Sequence, residues 1–271
     1  MTPIDPTPGA PDTDTPAPPS PAGTQTLVRG LRVLEAMADQ AGPIGVGELS
    51  RLIDLPKSTV QRLLRTLHQE GWAQMTADPV TRWRLSPRML ALARQGAPSR
   101  NLREVAQPHI QALGQRTGET IHLSVPDGDV RLVLIDRVDS VHPVRTFNAI
   151  GASTALHASS SGKAFLAMLP DAEIEQILAR PLEQVMPNTS VDPRHLMHQI
   201  LETRDRGYAV NISENRANVC AIGAAFADAS GRPVGAVAIS MPDIRFEPSR
   251  VSEWGGWVRE TARAISEALS G

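Results

Sequence analysis

The stretch Leu55-Pro56-Lys57-Ser58-Thr59-Val60-Gln61-Arg62-Leu63-Leu64-Arg65-Thr66-Leu67-His68-Gln69-Glu70-Gly71 decides the fold of the N-terminal part of this chain. Pro56 suits the first turn of a helix, where its missing N–H would have had no intrahelical partner, and Gly71 suits the position just past the helix end. A helix over 56–70 places Val60, Leu63, Leu64 and Leu67 on one face. Ser58, Arg62, Arg65 and Gln69 fall on the opposite face, with Gln61 beside them.

Upstream, Leu27, Leu31, Leu34 and Ala38 recur at helical spacing until Gly42-Pro43 stops the run. A second short helix spans about 46–53, with Val46, Leu49, Leu52 and Ile53 inward. It breaks at Asp54-Leu55, where Asp can take the left-handed turn position that Gly more commonly fills. Downstream, 71–75 and 82–86 read as two short strands around the turn-forming stretch 77–81, a hairpin wing. Ser86-Pro87 then opens a fourth helix reaching about Arg94, and Gly96, Pro98 and Ser99 mark a boundary.

Charge supports a nucleic-acid partner for this segment. The net charge is only −2, but residues 24–97 hold ten Lys or Arg against six Asp or Glu, while 1–23 hold three Asp and no base. The exposed face of the third helix fits the major groove, where Arg can pair bidentately with guanine and Gln with adenine. Taken alone, such a polar stripe is more often a solvated helix face. The short helix, tight turn, long polar-faced helix and basic hairpin together point to DNA. Candidate DNA contacts are Lys57, Ser58, Thr59, Gln61, Arg62 and Arg65, with Arg82 and Arg84 of the wing facing phosphates.

Residues 1–23, rich in Pro, Thr, Ala and Asp, bury too little apolar surface to offset ordering entropy and read as a disordered tail. They carry no secretory signal pattern, and no apolar run is long enough to span a membrane. The single cysteine, Cys220, has no partner for an internal disulfide. The expected compartment is the cytoplasm. Residues 98–118 read as a linker helix with Leu102, Val105, Ala106, Ile110 and Leu113 on one stripe, kinked at Pro108.

Beyond Gly118 strands and helices mix. A hairpin is expected from 120–125 and 130–136, helices at 161–168, 171–178 and 193–206, strands at 219–226 and 234–240, and a final helix over 249–269. The fold class is therefore α+β, with a second domain over 119–271.

Here the sequence resembles the IclR-type (isocitrate lyase regulator) family of bacterial transcription factors. The resemblance rests on residues 55–67, quoted above, on Gly118-Glu119-Thr120-Ile121-His122-Leu123, and on Leu156-His157-Ala158-Ser159-Ser160-Ser161-Gly162-Lys163-Ala164. Arg206-Gly207-Tyr208-Ala209-Val210 and Val219-Cys220-Ala221-Ile222 follow in order, and about 25–270 is covered. The resemblance implies a winged helix-turn-helix, a GAF-like α/β effector-binding domain, and homodimers joined through the N-terminal domains, often paired into homotetramers. It implies a palindromic double-stranded operator as partner, a small organic acid or aromatic metabolite as effector, and no cofactor. By resemblance the effector pocket is lined by Ser160, Ser161, Asn211, Cys220, Ala238 and Ser240. The hydroxyls and the free N–H groups at the start of the 161–168 helix suit a carboxylate, although helix capping by Ser159 or Ser160 explains the same serines. Asn211 stands where an acidic residue is common, Asn218 near a usual Gly, and Met241 where Gly often precedes Pro242.

Other classes read less well. Ser160 and Lys163 have the S-x-x-K spacing of serine acyl-transfer enzymes, but the companion S-D-N and K-T-G elements are absent. Gly162-Lys163 lacks the rest of a phosphate-binding loop. His195 and His198 share a helix face without a third metal ligand, and a buried structural thiol explains Cys220 as well as a pocket role does. A ligand-binding protein without DNA activity also fits the sequence.

Overall fold

Apolar residues at helical spacing in the N-terminal part and at alternating spacing in the C-terminal part build two separate cores. The computed structural model describes residues 24–40, 42–76, 80–89, 91–92 and 99–271, and the side chains of all of these except 99–101. The tail expected over 1–23, most of the wing turn, the end of the fourth helix and the breakers at 96–98 lie outside the described residues. The chain divides into two compact units, Met1–Gln95 and Gly96–Gly271.

In the first unit, helices α1 (Gln25–Ala38), α2 (Val46–Leu52) and α3 (Lys57–Gln69) precede an antiparallel hairpin of β1 (Ala73–Thr76) and β2 (Arg82–Leu85). Val60, Leu63 and Leu64 of α3 bury against Val33, Met37, Leu49 and Trp83. Ile44 exchanges two backbone hydrogen bonds of 2.8 Å with Trp83, which ties the wing to the segment before α2.

Two inward faces differ from expectation. On α1, Leu27 and Leu31 are 63% and 50% exposed, and Val33 and Met37 make the contact with α3. On α2, Leu52 is exposed and Leu49 carries the burial. α1 has apolar residues on two neighbouring stripes, and spacing alone cannot choose which of them meets α3.

The second unit begins with α4 (Ser99–Thr117), which runs through Pro108 as one helix. A six-stranded antiparallel sheet follows, ordered β5-β4-β3-β8-β7-β6. Its strands are β3 (Thr120–Asp127), β4 (Arg131–Val138), β5 (Ser153–Ala155), β6 (Ala209–Ile212), β7 (Val219–Ala227) and β8 (Pro233–Pro242). Helices α5 (Ser160–Ala167), α6 (Asp171–Leu178) and α7 (Pro193–Arg206) connect β5 to β6, and α8 (Val251–Ser270) ends the chain. As expected, Asp192 caps α7 and Gly207, at φ +80°, closes it.

Alternation along the strands sends their two sets of side chains into two layers. Ile121, Leu123, Ile222, Phe226, Val237 and Ile239 pack with Leu102, Ile110 and Leu113 of α4 and with Trp254, Val258 and Ile265 of α8. The apolar stripe read as a linker is thus buried in the core of the second unit. Leu132 and Ala236 pack on the opposite side with Phe165, Leu166, Ile174, Leu196 and Ile200 from α5, α6 and α7. The short strands β5 and β6 went unread in the sequence.

Candidate functional site

The turn between α2 and α3 is fixed by local chemistry. Asp54 sits at φ +48°, the left-handed conformation expected of it. The Leu55 N–H donates to the Ser50 carbonyl at 3.1 Å and the Ser50 hydroxyl donates to the Leu55 carbonyl at 2.6 Å. Pro56 occupies the cap position of α3, one residue earlier than expected.

With Val60, Leu63 and Leu64 inward, Lys57, Ser58, Gln61, Arg62 and Arg65 are exposed and Thr59 is half-buried. Among the described residues, Lys57, Arg62, Arg65 and Arg84 form no ion pair. Arg84 is exposed on β2. Arg82 is engaged instead, donating to the Pro43 carbonyl at 3.1 Å and pairing with Glu48 at 3.3 Å. So α3 presents an uncompensated cationic and amide face, and the two wing arginines are not equivalent.

In the second unit, a cavity of about 140 Å³ lies between the N-terminal end of α5 and the sheet. Ser159 caps α5, its hydroxyl accepting from the Gly162 N–H at 3.0 Å and donating to the Ala155 carbonyl at 3.2 Å. The N–H groups of Ser160 and Ser161, ahead of the first intrahelical bonds, take no partner among the described residues. Glycine permits this seating. A Cβ on Gly223 of β7 would lie 2.9 Å from Ser160 C and Ser161 N, and a Cβ on Gly162 would lie 2.2 Å from the Leu156 carbonyl oxygen.

Ser160, Ser161, Asn211, Ala238 and Ser240 all line the cavity. Cys220 does not, and this corrects its expected place in the pocket. On β7 it alternates with Val219 and Ala221, which face the cavity, while its own side chain packs in the α4–α8 layer. Burial pushes its thiol pKa up, with Asp243 adding to the effect, so the thiolate is disfavoured.

Asn211 is buried and spoken for within the chain. Its Nδ2 donates to the Ala158 carbonyl at 2.6 Å, and its Oδ1 accepts from the Glu214 N–H at 3.3 Å. The Thr146 hydroxyl donates to the Ser240 carbonyl at 3.2 Å, which brings the 139–152 segment over the cavity. Arg216 also lines it, donating to the Phe147 carbonyl at 2.7 Å.

His122 of β3 lines the same cavity and was not among the expected site residues. Period-two alternation carries the signal, because Ile121 and Leu123 face the α4–α8 core and so His122 and Ser124 face the other way. Its Nε2 is buried without a hydrogen-bond partner among the described residues. Burial, reinforced by Arg137 on the neighbouring strand, lowers its pKa to about 4, so the ring is neutral at pH 7.

The rival sites do not assemble. The Lys163 ammonium is 2% exposed and donates to Glu214 Oε1 at 2.6 Å and to Gln199 Oε1 at 3.2 Å; it forms no hydrogen bond with the Ser160 hydroxyl. His195 contacts Gln199 and His198 contacts Glu202, both on the surface, and the described residues hold no cluster of three metal-ligating side chains.

Comparison with known proteins decides the family. Residues 26–76 match the IclR helix-turn-helix domain, and residues 95–267 match the C-terminal domain of bacterial IclR transcriptional regulators. The chain belongs to the IclR family of transcriptional regulators. It is 32% identical over 255 residues to the transcriptional repressor IclR of Escherichia coli, covering 93% of each chain. It is also 32% identical to the acetate operon repressor of Salmonella typhimurium, over 91% of this chain and 90% of that one. The Thermotoga maritima IclR crystal structure superposes with a TM-score of 0.75 at 28% identity, over 91% of this chain and 99% of that one. An IclR homologue from Microbacterium hydrocarbonoxydans, solved with 4-hydroxybenzoate, gives 0.73 at 26% identity, over 90% and 99%. As an IclR-family member the chain is a DNA-binding regulator rather than an enzyme. Among the described residues no helix is long and apolar enough to cross a membrane.

Proposed function

We propose that this IclR-family chain is a cytoplasmic, ligand-responsive repressor that reads a palindromic operator with α3 and releases it when a small organic acid or aromatic metabolite fills the cavity beside α5. The observation that carries the DNA half is the exposure of Arg62 and Arg65, which form no ion pair among the described residues, on the face opposite Val60, Leu63 and Leu64. Gln61, beside them, adds an amide that can pair with adenine, and Lys57, Ser58, Thr59 and Arg84 suit phosphates. Arg82 reaches a phosphate only by leaving Glu48. That exchange costs little, because exposed ion pairs are worth about 0–1 kcal/mol.

Reading a palindrome requires two copies related by two-fold symmetry. Exposed Leu27, Val28 and Leu31 on α1 offer an apolar surface for a homodimer, and pairs of dimers give the homotetramer. Effector control requires that the acid bind the DNA-competent and DNA-incompetent arrangements with different affinity. The helix α4, whose Leu102, Ala106, Ile110 and Leu113 are buried against the sheet that floors the cavity, is the segment suited to carry that difference.

Footprinting on the operator tests the DNA half. Arg62→Ala with Arg65→Ala abolishes the specific footprint, and unchanged protection would refute the role assigned to α3. Arg84→Ala weakens binding across sequences alike and lowers the slope of log affinity against log salt by about one.

A further inference from the structure

We propose that the cavity beside α5 selects a monocarboxylic acid that carries a second, uncharged hydrogen-bonding group, and that His122 is the residue that reads this second group. The inference rests on the effector reading of the cavity.

One end of the cavity is built for an anion. Ser160 and Ser161, whose N–H groups take no partner among the described residues, line the cavity at the start of α5, where the helix dipole also favours negative charge. No Asp or Glu lines the cavity among the described residues, and Arg216 at its edge is the one charged side chain that does. Asn211 brings no charge, and both ends of its amide are taken by Ala158 and Glu214.

The second group is demanded by His122. Its side chain lies on the sheet wall of the cavity, and a buried ring nitrogen without a partner forfeits a hydrogen bond that solvent would otherwise supply. Ala238, its cross-strand neighbour on β8, has no polar side-chain atom to offer it. The neutral ring presents one donor and one acceptor nitrogen. A hydroxyl on the bound acid can serve either, whereas a second carboxylate would meet only Arg137, the cross-strand neighbour of His122 on β4, which is already paired with Asp139 at 2.8 Å.

The test measures binding to the full chain by calorimetry with two acid pairs differing by one hydroxyl: 4-hydroxybenzoate against benzoate, and lactate against propionate. Wild type is expected to prefer the hydroxy acid of at least one pair by about two- to twelvefold, the span of one net hydrogen bond. His122→Leu brings that ratio to about one while the affinity for the plain acid holds, and His122→Gln, which keeps a donor and an acceptor, retains a preference. An undiminished ratio in His122→Leu overturns the role of His122 and leaves the effector reading standing. Failure of all four acids to bind wild type overturns the small-acid effector reading itself, and the proposal with it. Should the leucine variant not fold, nitrogen-15 spectra of histidine-labelled wild type decide. The His122 nitrogens shift with the hydroxy acid and not with its plain counterpart, and equal shifts overturn the proposal.

Discussion

Acid should loosen the second unit through His122. In the unfolded chain this imidazole titrates near its ordinary value of 6.5, whereas in the folded sheet burial and Arg137 hold it at about 4. The folded pKa is depressed, so between these two values the unfolded chain binds more protons. The neutral ring's contribution is therefore intact above pH 6.5 and is lost as the pH falls toward 4. Applied to these two values, linkage gives a loss of about 2 kcal/mol between pH 7 and pH 5 and about 3 kcal/mol by pH 4. The assay is amide hydrogen exchange of peptides from β3 and β8, corrected for intrinsic rates, in wild type and His122→Gln at pH 7 and pH 5. Wild type should lose about 2 kcal/mol more protection than the glutamine variant, which stays neutral at both pH values. Equal losses in the two proteins would refute the reasoning, because they would place the acid sensitivity elsewhere.

Two further outcomes follow from the packing around α5. Lys163→Met leaves the Glu214 carboxylate buried without its ion-pair partner, a loss of about 3–5 kcal/mol. Adding Glu214→Gln should restore most of that loss in urea unfolding of the second unit, and a double variant as unstable as the single one would contradict the assignment. Gly162→Ala drives a Cβ against the Leu156 backbone and should cost about 1–3 kcal/mol or more, read by the same unfolding measurement and by a loss of acid binding.

The helix-turn-helix was legible because every one of its signals is local. Asp54 takes its left-handed turn without help from distant residues, Pro56 and Gly71 bracket α3, and the 3.6-residue repeat of Val60, Leu63, Leu64 and Leu67 separates core from exposed polar face. α1 was harder. Leu27 and Leu31 compete with Val33 and Met37 for the inward face, and only the position of α3 settles which pair is buried.

The cavity was half legible. Ser160 and Ser161 announce themselves at the start of α5, but Cys220 was placed in the pocket and His122 left out of it. Both errors have one cause. Strand side chains alternate between faces, and a one-residue difference in which face meets which layer moves a side chain from cavity to core. Arg82 shows the same limit on the surface: its charge is plain in the sequence, its engagement by Glu48 and the Pro43 carbonyl is not.

By itself, then, the sequence determined the helix-turn-helix, most of the longer elements beyond it, the basic exposed face of α3 and the family, because propensity, periodicity and motif act over a few residues at a time. The tertiary structure alone decided that Leu102, Ala106, Ile110 and Leu113 lie in the α4–α8 core, that His122 and Ser160 line one cavity with no carboxylate among its described lining residues, and that Lys163 belongs to Glu214 rather than to a serine. Each of these depends on which strand lies beside which, and strand order in a sheet is set by contacts between residues far apart in the chain.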